Sequence, residues 1–286
     1  MHRCSVIVVT YNRDHLLVET LKSIESTLSH ADQLVVVDQS VKHDVATSAY
    51  LKKAQLRIPN FRYATLNSPG LGRARNAGIS EAQGQIAIFI DDDVVVRPGF
   101  IEAHLSYYAS GEYVAVAGHA ISPSGHDWFS QTGIEANKII GVNMSFELET
   151  LREIGGFDPN LKVCRDDYDI HQKLKKKGAR VANGGRAVLV HYAGVTGGSS
   201  LRSDSIDSLA RVYHDVSYIF FKLHGKRSVL QLHYYVFAFL RWRLPAWRTL
   251  VRPKFWSGAL LHGHLAGFKT YLTTLRPGYA KKVTHR

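Results

Sequence analysis

Four short runs with strand character, separated by stretches with helical spacing, constrain this chain more than any other feature. Cys4 to Val9, Leu34 to Val37 and Ile86 to Ile90 are almost unbroken apolar runs, the pattern of strands buried on both faces, and Phe61 to Leu66 reads as a further strand. Between them, Leu17, Leu21, Ile24 and Leu28 recur at helical spacing behind Asn12 or Asp14 as the cap. Val45 to Ala54 reads as a second helix, and Arg73 to Ala82, after the turn at Pro69-Gly70-Leu71-Gly72, as a third. Strand and helix in alternation imply right-handed crossovers and a parallel sheet, whose ligands belong at the carboxyl ends of the strands.

Polar residues stand at those ends. Thr10, Tyr11 and Asn12 follow the first run, Asp38 ends the second, and Asp91-Asp92-Asp93 follows the fourth, so all are expected in one crevice. Adjacent carboxylates repel and raise one another's pKa unless a cation joins them. A hard divalent ion, Mg²⁺ or Mn²⁺, resolves the conflict and leaves positions for a diphosphate. A second acidic cluster, Asp166-Asp167-Tyr168-Asp169, opens a helix read over Asp166 to Lys177, where it could serve as a base or merely as a cap. No Gly-x-Gly-x-x-Gly and no Walker loop follows the first strand, which argues against dinucleotide oxidoreductases and P-loop enzymes. Past residue 110 the alternation weakens. Val114 to Gly118 and Ile139 to Phe146 read as strands, Arg180 to Val190 as a strand pair broken at Asn183-Gly184-Gly185, and Gly197-Gly198-Ser199-Ser200 as a loop.

Charge divides the chain. From Val216 to Arg286 there are 13 Lys and Arg and no Asp or Glu, which leaves residues 1–215 with 23 basic and 24 acidic residues. The same tail holds Trp242, Trp247, Trp256 and the run Tyr234 to Leu240. Basic residues interleaved with aromatics suit an anionic membrane surface, the reading preferred here over a plainly packed appendage and over nucleic acid. No apolar stretch reaches the roughly 20 residues that span a bilayer, and the first run is too short for a secretory leader. Two cysteines, Cys4 and Cys164, form no disulfide framework and suit a reducing compartment.

An ordered set of motifs, Ser5-Val6-Ile7-Val8-Val9-Thr10-Tyr11-Asn12-Arg13, Val35-Val36-Val37-Asp38, Gly70 to Gly78, Phe89 to Asp93, Gly141 to Phe146, Gly155-Gly156-Phe157-Asp158, Asp166-Asp167 and Val190-His191, resembles family 2 glycosyltransferases over about residues 4–195. The resemblance implies an α/β, GT-A nucleotide-diphosphosugar-transferase fold, a Rossmann-like mixed sheet flanked by helices. To this is added a helical, basic and aromatic C-terminal extension. It implies a catalytic domain over 1–215, with a nucleotide-sugar half 1–110 and an acceptor half 111–215, and the extension over 216–286. By the same resemblance Thr10, Tyr11 and Asp38 hold the nucleotide base, with Asn12 beside them. Asp38 accepts from the imide of uracil or thymine, and Arg75 faces the nucleotide or its phosphates. Asp93 contacts the metal, Asp91 or Asp92 reaches the ribose, and Asp91 joins the metal set. Asp167 matches the catalytic base. Asp166 stands where the family has Glu, so the base is left between Asp167 and Asp166, with Asp167 preferred. His191 joins the metal, hydrogen-bonds the diphosphate, or simply packs at its strand end. Asn143 and Met144 line the acceptor side, and Trp128, with Phe129, stacks on an acceptor sugar or enters the core.

The expected function is therefore inverting transfer of a sugar from a UDP-sugar to a glycan or lipid-linked hydroxyl, assisted by Mn²⁺ or Mg²⁺, at the cytoplasmic face of a membrane. The alternatives are a dTDP-rhamnose or GDP-mannose donor with a soluble acceptor, a sugar nucleotidyltransferase, and a non-catalytic sugar-nucleotide-binding module.

Overall fold

The computed structural model describes residues 2–30, 32–127, 131–192, 206–225 and 253–275. Trp128, Phe129, the loop 197–200, the run 234–240, Trp242 and Trp247 lie outside them, and of Trp256 only the backbone is described. The chain forms two units, one of Met1–Asp158 with Asp166–Gly198, the other of Pro159–Arg165 with Ser199–Arg286.

The first unit is built on an eight-stranded mixed sheet. Its strands are β1 (His2–Thr10), β2 (Gln33–Asp38), β3 (Phe61–Thr65), β4 (Gly84–Ile90), β5 (Val94–Val96), β6 (Ala115–Ile121), β7 (Asn143–Glu147) and β8 (Val181–His191). They lie in the order β3-β2-β1-β4-β7-β6-β8-β5. The first four pair in parallel, as the crossovers require, and β7 enters antiparallel between β4 and β6. The helices are α1 (Asp14–Glu25), α2 (Val45–Arg57), α3 (Leu71–Glu81), α4 (Phe100–Ser106), α5 (Leu148–Glu153) and α6 (Asp166–Lys176).

Because strand side chains alternate, each central strand feeds two cores. Cys4, Val6, Val8, Leu34, Val36, Ile86 and Ile88 meet Leu17, Leu21 and Ile24 of α1 and Leu51 of α2. Ile7, Val9, Val35, Val37 and Phe89 meet Ala74 of α3, Leu151 of α5, and Ile170 and Leu174 of α6. Burial of each such large side chain contributes about 1.5–3 kcal/mol. Gly78 lets α3 approach β1 closely, since a Cβ there would overlap Ile7 Cγ2.

Several local expectations are corrected. Neither Asn12 nor Asp14 caps α1: Arg13 is the cap, without a side-chain bond, Asn12 has φ of 53°, and the Asp14 carboxylate is turned to His43 and Asp44. Strand β7 begins only at Asn143, because Ile139, Ile140 and Val142 are buried outside the ladder. Asn183-Gly184-Gly185 does not break a strand pair. It lies inside one continuous strand, β8, whose register against β6 shifts opposite Gly118 and His119.

In the second unit, α7 (Ile206–His224) packs on α8 (Pro253–Thr274). Gly263 abuts Ala210 and Tyr213, Gly267 abuts His214 and Ser217, and Tyr271 stacks on Phe221, so the two helices run in the same direction. A Cβ at either glycine would overlap the α7 backbone, which makes both glycines the condition of this close approach. The seven-residue segment Pro159–Arg165 joins the same unit. Leu161 enters its apolar cluster, and the fully buried Asp215 carboxylate accepts the backbone N–H groups of Lys162, Val163 and Cys164 at 2.7–3.1 Å. His214 links Asp215 at 2.7 Å to Thr270 of α8 at 2.8 Å. The boundary expected between residues 215 and 216 falls inside α7.

Candidate functional site

Strands β1, β2 and β4 end side by side, with Thr10 paired to Asp38 and Val8 to Ile90, and this register delivers the polar residues to one edge. The Asp triplet leaves β4 and runs straight into β5, whose pairing with β8 sets Val94 opposite His191. A backbone bond from Tyr192 N–H to Asp93 O, 2.9 Å, closes the same junction. One ligand atom each from Asp91, Asp93 and His191 falls within a 4.8 Å cluster, and His191 Nε2 is 3.2 Å from Asp93 Oδ1. Two carboxylates and an imidazole fit a divalent ion, manganese as well as magnesium. Burial pushes the Asp91 carboxyl up to about 6, with Asp93 adding to the rise and Arg75 opposing it. Burial draws the His191 imidazole down, but Asp93 and Asp91 outweigh it and the net direction is up.

Asp92, expected at the donor, is 4% exposed and held by protein: it accepts from Thr10 Oγ1 at 2.6 Å and from Arg13 at 2.7 Å. Arg13 also pairs with Asp93 at 2.8 Å, so one guanidinium ties two members of the triplet. The Thr10 hydroxyl, spent on Asp92 and 2% exposed, is likewise not directed to a base. The two side chains are bonded to one another, and Arg13 is a residue the motif contained without revealing its purpose.

Arg75 is corrected too. It is 2% exposed and its guanidinium lies between the acidic clusters, paired to Asp166, 3.4 Å from Asp91 and 2.7 Å from Gly141 O, with Phe157 beneath it. Asp166 is therefore committed to a buried ion pair. Asp167 instead accepts the backbone N–H groups of Gly141 at 3.1 Å and Tyr168 at 2.7 Å. Burial pushes its carboxyl up, and neighbouring Asp166 pushes further, against the pull of Arg75.

Asp38 sits in a network the sequence did not disclose. Its carboxylate accepts from Tyr63 Oη, His43 Nε2 and, at 2.7 Å, Ser40 N–H, while His43 Nδ1 meets Asp14. Burial raises the Asp38 carboxyl, but these bonds outweigh it and hold the group below the usual carboxylate range. Asn12, Asp14, Val41 and Lys42 line a depression of about 450 Å³ beside this network. Tyr11 is half-buried at the same strand end.

On the expected acceptor side, Asn143 and Met144 are fully buried. Asn143 donates to His119 O and Ala187 O, both at 2.8 Å, and accepts from His104. Met144 packs in the core with Phe89 and Phe146. Neither lines an acceptor site, because a strand interior to the sheet turns both into the fold.

Residues 5–169 match the model of the family described as Glycosyl transferase family 2. An uncharacterized glycosyltransferase of Bacillus subtilis, YwdF, is 29% identical over 112 residues, 39% of this chain and 40% of that protein. A GalNAc(5)-diNAcBac-PP-undecaprenol beta-1,3-glucosyltransferase of Campylobacter jejuni is 30% identical over 122 residues, 42% of this chain and 39% of that protein. The matches thus span less than half of these relatives. A mannosyltransferase of Pyrobaculum calidifontis, solved with GDP-Man and Mn²⁺, superposes with a TM-score of 0.58 at 17% identity, covering 99% of this chain and 83% of that one. At that identity the likeness is one of fold, the GT-A glycosyltransferase sheet with its flanking helices.

Proposed function

The chain belongs to glycosyl transferase family 2, and from that premise we propose an inverting transferase that moves a sugar from a UDP-sugar to a hydroxyl of a glycan or lipid-linked acceptor. The observation that carries the reading is the unequal fate of two adjacent carboxylates: Asp166 is neutralised by Arg75, whereas Asp167 meets backbone N–H groups and has a raised proton affinity. A base needs a free lone pair and a pKa drawn toward working pH, which selects Asp167.

In the proposed reaction Asp167 takes the proton of the acceptor hydroxyl as that oxygen bonds to the anomeric carbon. The bond from that carbon to the diphosphate oxygen breaks on the opposite side, and the electron pair leaves with the nucleoside diphosphate. One displacement inverts the carbon. Arg75 holds Asp166 and the Asp91 side of the cleft in fixed relation, so acceptor and donor meet in line. Tyr11, Asn12 and Asp38 border the nucleotide, with His43 and Tyr63 fixing the Asp38 carboxylate. Asp91, Asp93 and His191 would hold a divalent ion, which would supply positive charge against the departing diphosphate.

We also propose that the protein works at the cytoplasmic surface of a membrane, where sugar nucleotides are at hand. Supporting this are the 13 basic residues without an acid beyond Val216 and the undecaprenol-linked substrate in the name of the Campylobacter relative. Among the described residues no helix is long and apolar enough to cross a membrane.

The test is nucleoside diphosphate release from a panel of UDP-, dTDP- and GDP-sugars. Release of UDP is expected with Mn²⁺, and its loss in Asp93→Ala and in excess chelator. Undiminished turnover in chelator overturns the metal assignment, and turnover of GDP-mannose or dTDP-rhamnose alone overturns the donor.

A further inference from the structure

We infer that the face of α8 turned away from α7 is the surface on which this protein rests against an anionic lipid bilayer. The inference rests on the membrane reading above and assigns it to a face of the fold.

Helix α8 is apolar on two sides. One side, Gly263, Gly267 and Tyr271, is buried against α7. The other carries Leu265 and Leu272, with Leu275 just past the last turn, exposed by 60%, 42% and 53%, while Phe268 at its border keeps its ring on Phe221 of α7, 4.8 Å between centroids. Leu265 and Leu272 lie two turns apart and Leu275 about one turn further on, so the three side chains form one stripe along the helix. No other described helix exposes more than two large apolar side chains. Such a stripe is costly in water unless something covers it.

Charge decides what covers it. Lys269 is exposed next to Phe268 on the same helix, and it belongs to a stretch, Val216 to Arg286, with 13 Lys and Arg and no carboxylate. A second copy of the chain would bring the same uncompensated run of 13 Lys and Arg and be repelled. A bilayer bearing anionic headgroups satisfies both requirements, since the leucines enter the acyl boundary while the cations meet lipid phosphate. The geometry is that of a helix lying in the interface. Among the described residues none is fit to span it.

The test uses the full chain, vesicles of phosphatidylcholine alone, and vesicles of equal parts phosphatidylcholine and phosphatidylglycerol. The wild type is expected to co-sediment with the anionic vesicles. Leu265→Gln/Leu272→Gln should bind them at least tenfold more weakly, on the scale of one exposed leucine's transfer. Val45→Gln/Leu56→Gln, which removes more exposed apolar area, from α2, should bind as the wild type does. The unfolding midpoint of each variant shows that it folds, and Leu275→Gln, beyond the helix end, provides a second reading that leaves α8 untouched. If the α8 variants bind as tightly as the wild type, the face is wrong while the membrane reading stands. If the wild type binds neither vesicle, both fall. If the wild type is a dimer that the α8 variants dissociate, the occupant is a second copy and the inference is overturned.

Discussion

Asp166 and Asp167 differ by one position and by everything around them. Arg75 compensates the first, while burial and the first carboxylate's charge push the second one's pKa up. A carboxylate whose folded pKa is raised favours the protonated form in the native state, so its ionised form weakens the fold as pH rises through that value. Asp167→Asn is therefore expected to lose about 10²–10⁴-fold in turnover and, at neutral pH, to unfold at a higher temperature than the wild type. Loss of activity with a lowered midpoint would assign Asp167 to the fold instead. His43 carries the opposite sign. Burial draws its imidazole down, but bonds to Asp14 and Asp38 outweigh it, so the folded pKa is raised. Its contribution to stability is complete below the unfolded value of about 6.5 and is lost as pH rises through the higher folded one. Thermal midpoints measured from about pH 5.5 to 8.5 should fall across that window in the wild type, and His43→Gln should flatten the slope.

The elements show what a linear reading can reach. Strands β1, β2 and β4 were legible because burial on both faces leaves continuous apolar runs, and α1 because Leu17, Leu21 and Ile24 recur at helical spacing. β5, three residues long, has no period to detect, yet it is the strand that pairs with β8 and carries His191 to the Asp triplet. The triplet, Asp167 and His191 were legible as residues. What Asp92, Thr10 and Arg75 do was not, because it depends on which guanidinium or hydroxyl arrives from elements 16 to 91 positions away. His43 and Tyr63 were missed for the same reason. Asn143 and Met144 were misjudged because a motif shared with a family does not reveal whether it sits at the rim of a sheet or inside it. In the second unit the close approach of α7 and α8 depends on two absent side chains. Gly267→Leu should cost on the order of 1–3 kcal/mol by overpacking, read as a lowered urea midpoint, whereas Thr273→Leu on the half-exposed side should change little.

At the scale of the molecule, the path of the chain matters more than the number of units. It leaves the first unit at Asp158, contributes seven residues to the second, and returns at Asp166. Asp215 holds that excursion by three backbone N–H groups. Asp215→Asn, with one acceptor oxygen in place of two and no charge, should cost roughly 1.5–3 kcal/mol. Limited proteolysis should then cut first between residues 159 and 165; an unchanged cleavage pattern would show that Leu161 alone secures the segment. The excursion also imposes an order of events on synthesis. Every strand of the sheet has left the ribosome once His191 has emerged, but the N–H groups of residues 162–164 must wait about fifty residues for their acceptor. A nascent chain halted after His191 but before Asp215 has emerged would hold a finished sheet with an unfastened loop directly ahead of Asp166 and Asp167.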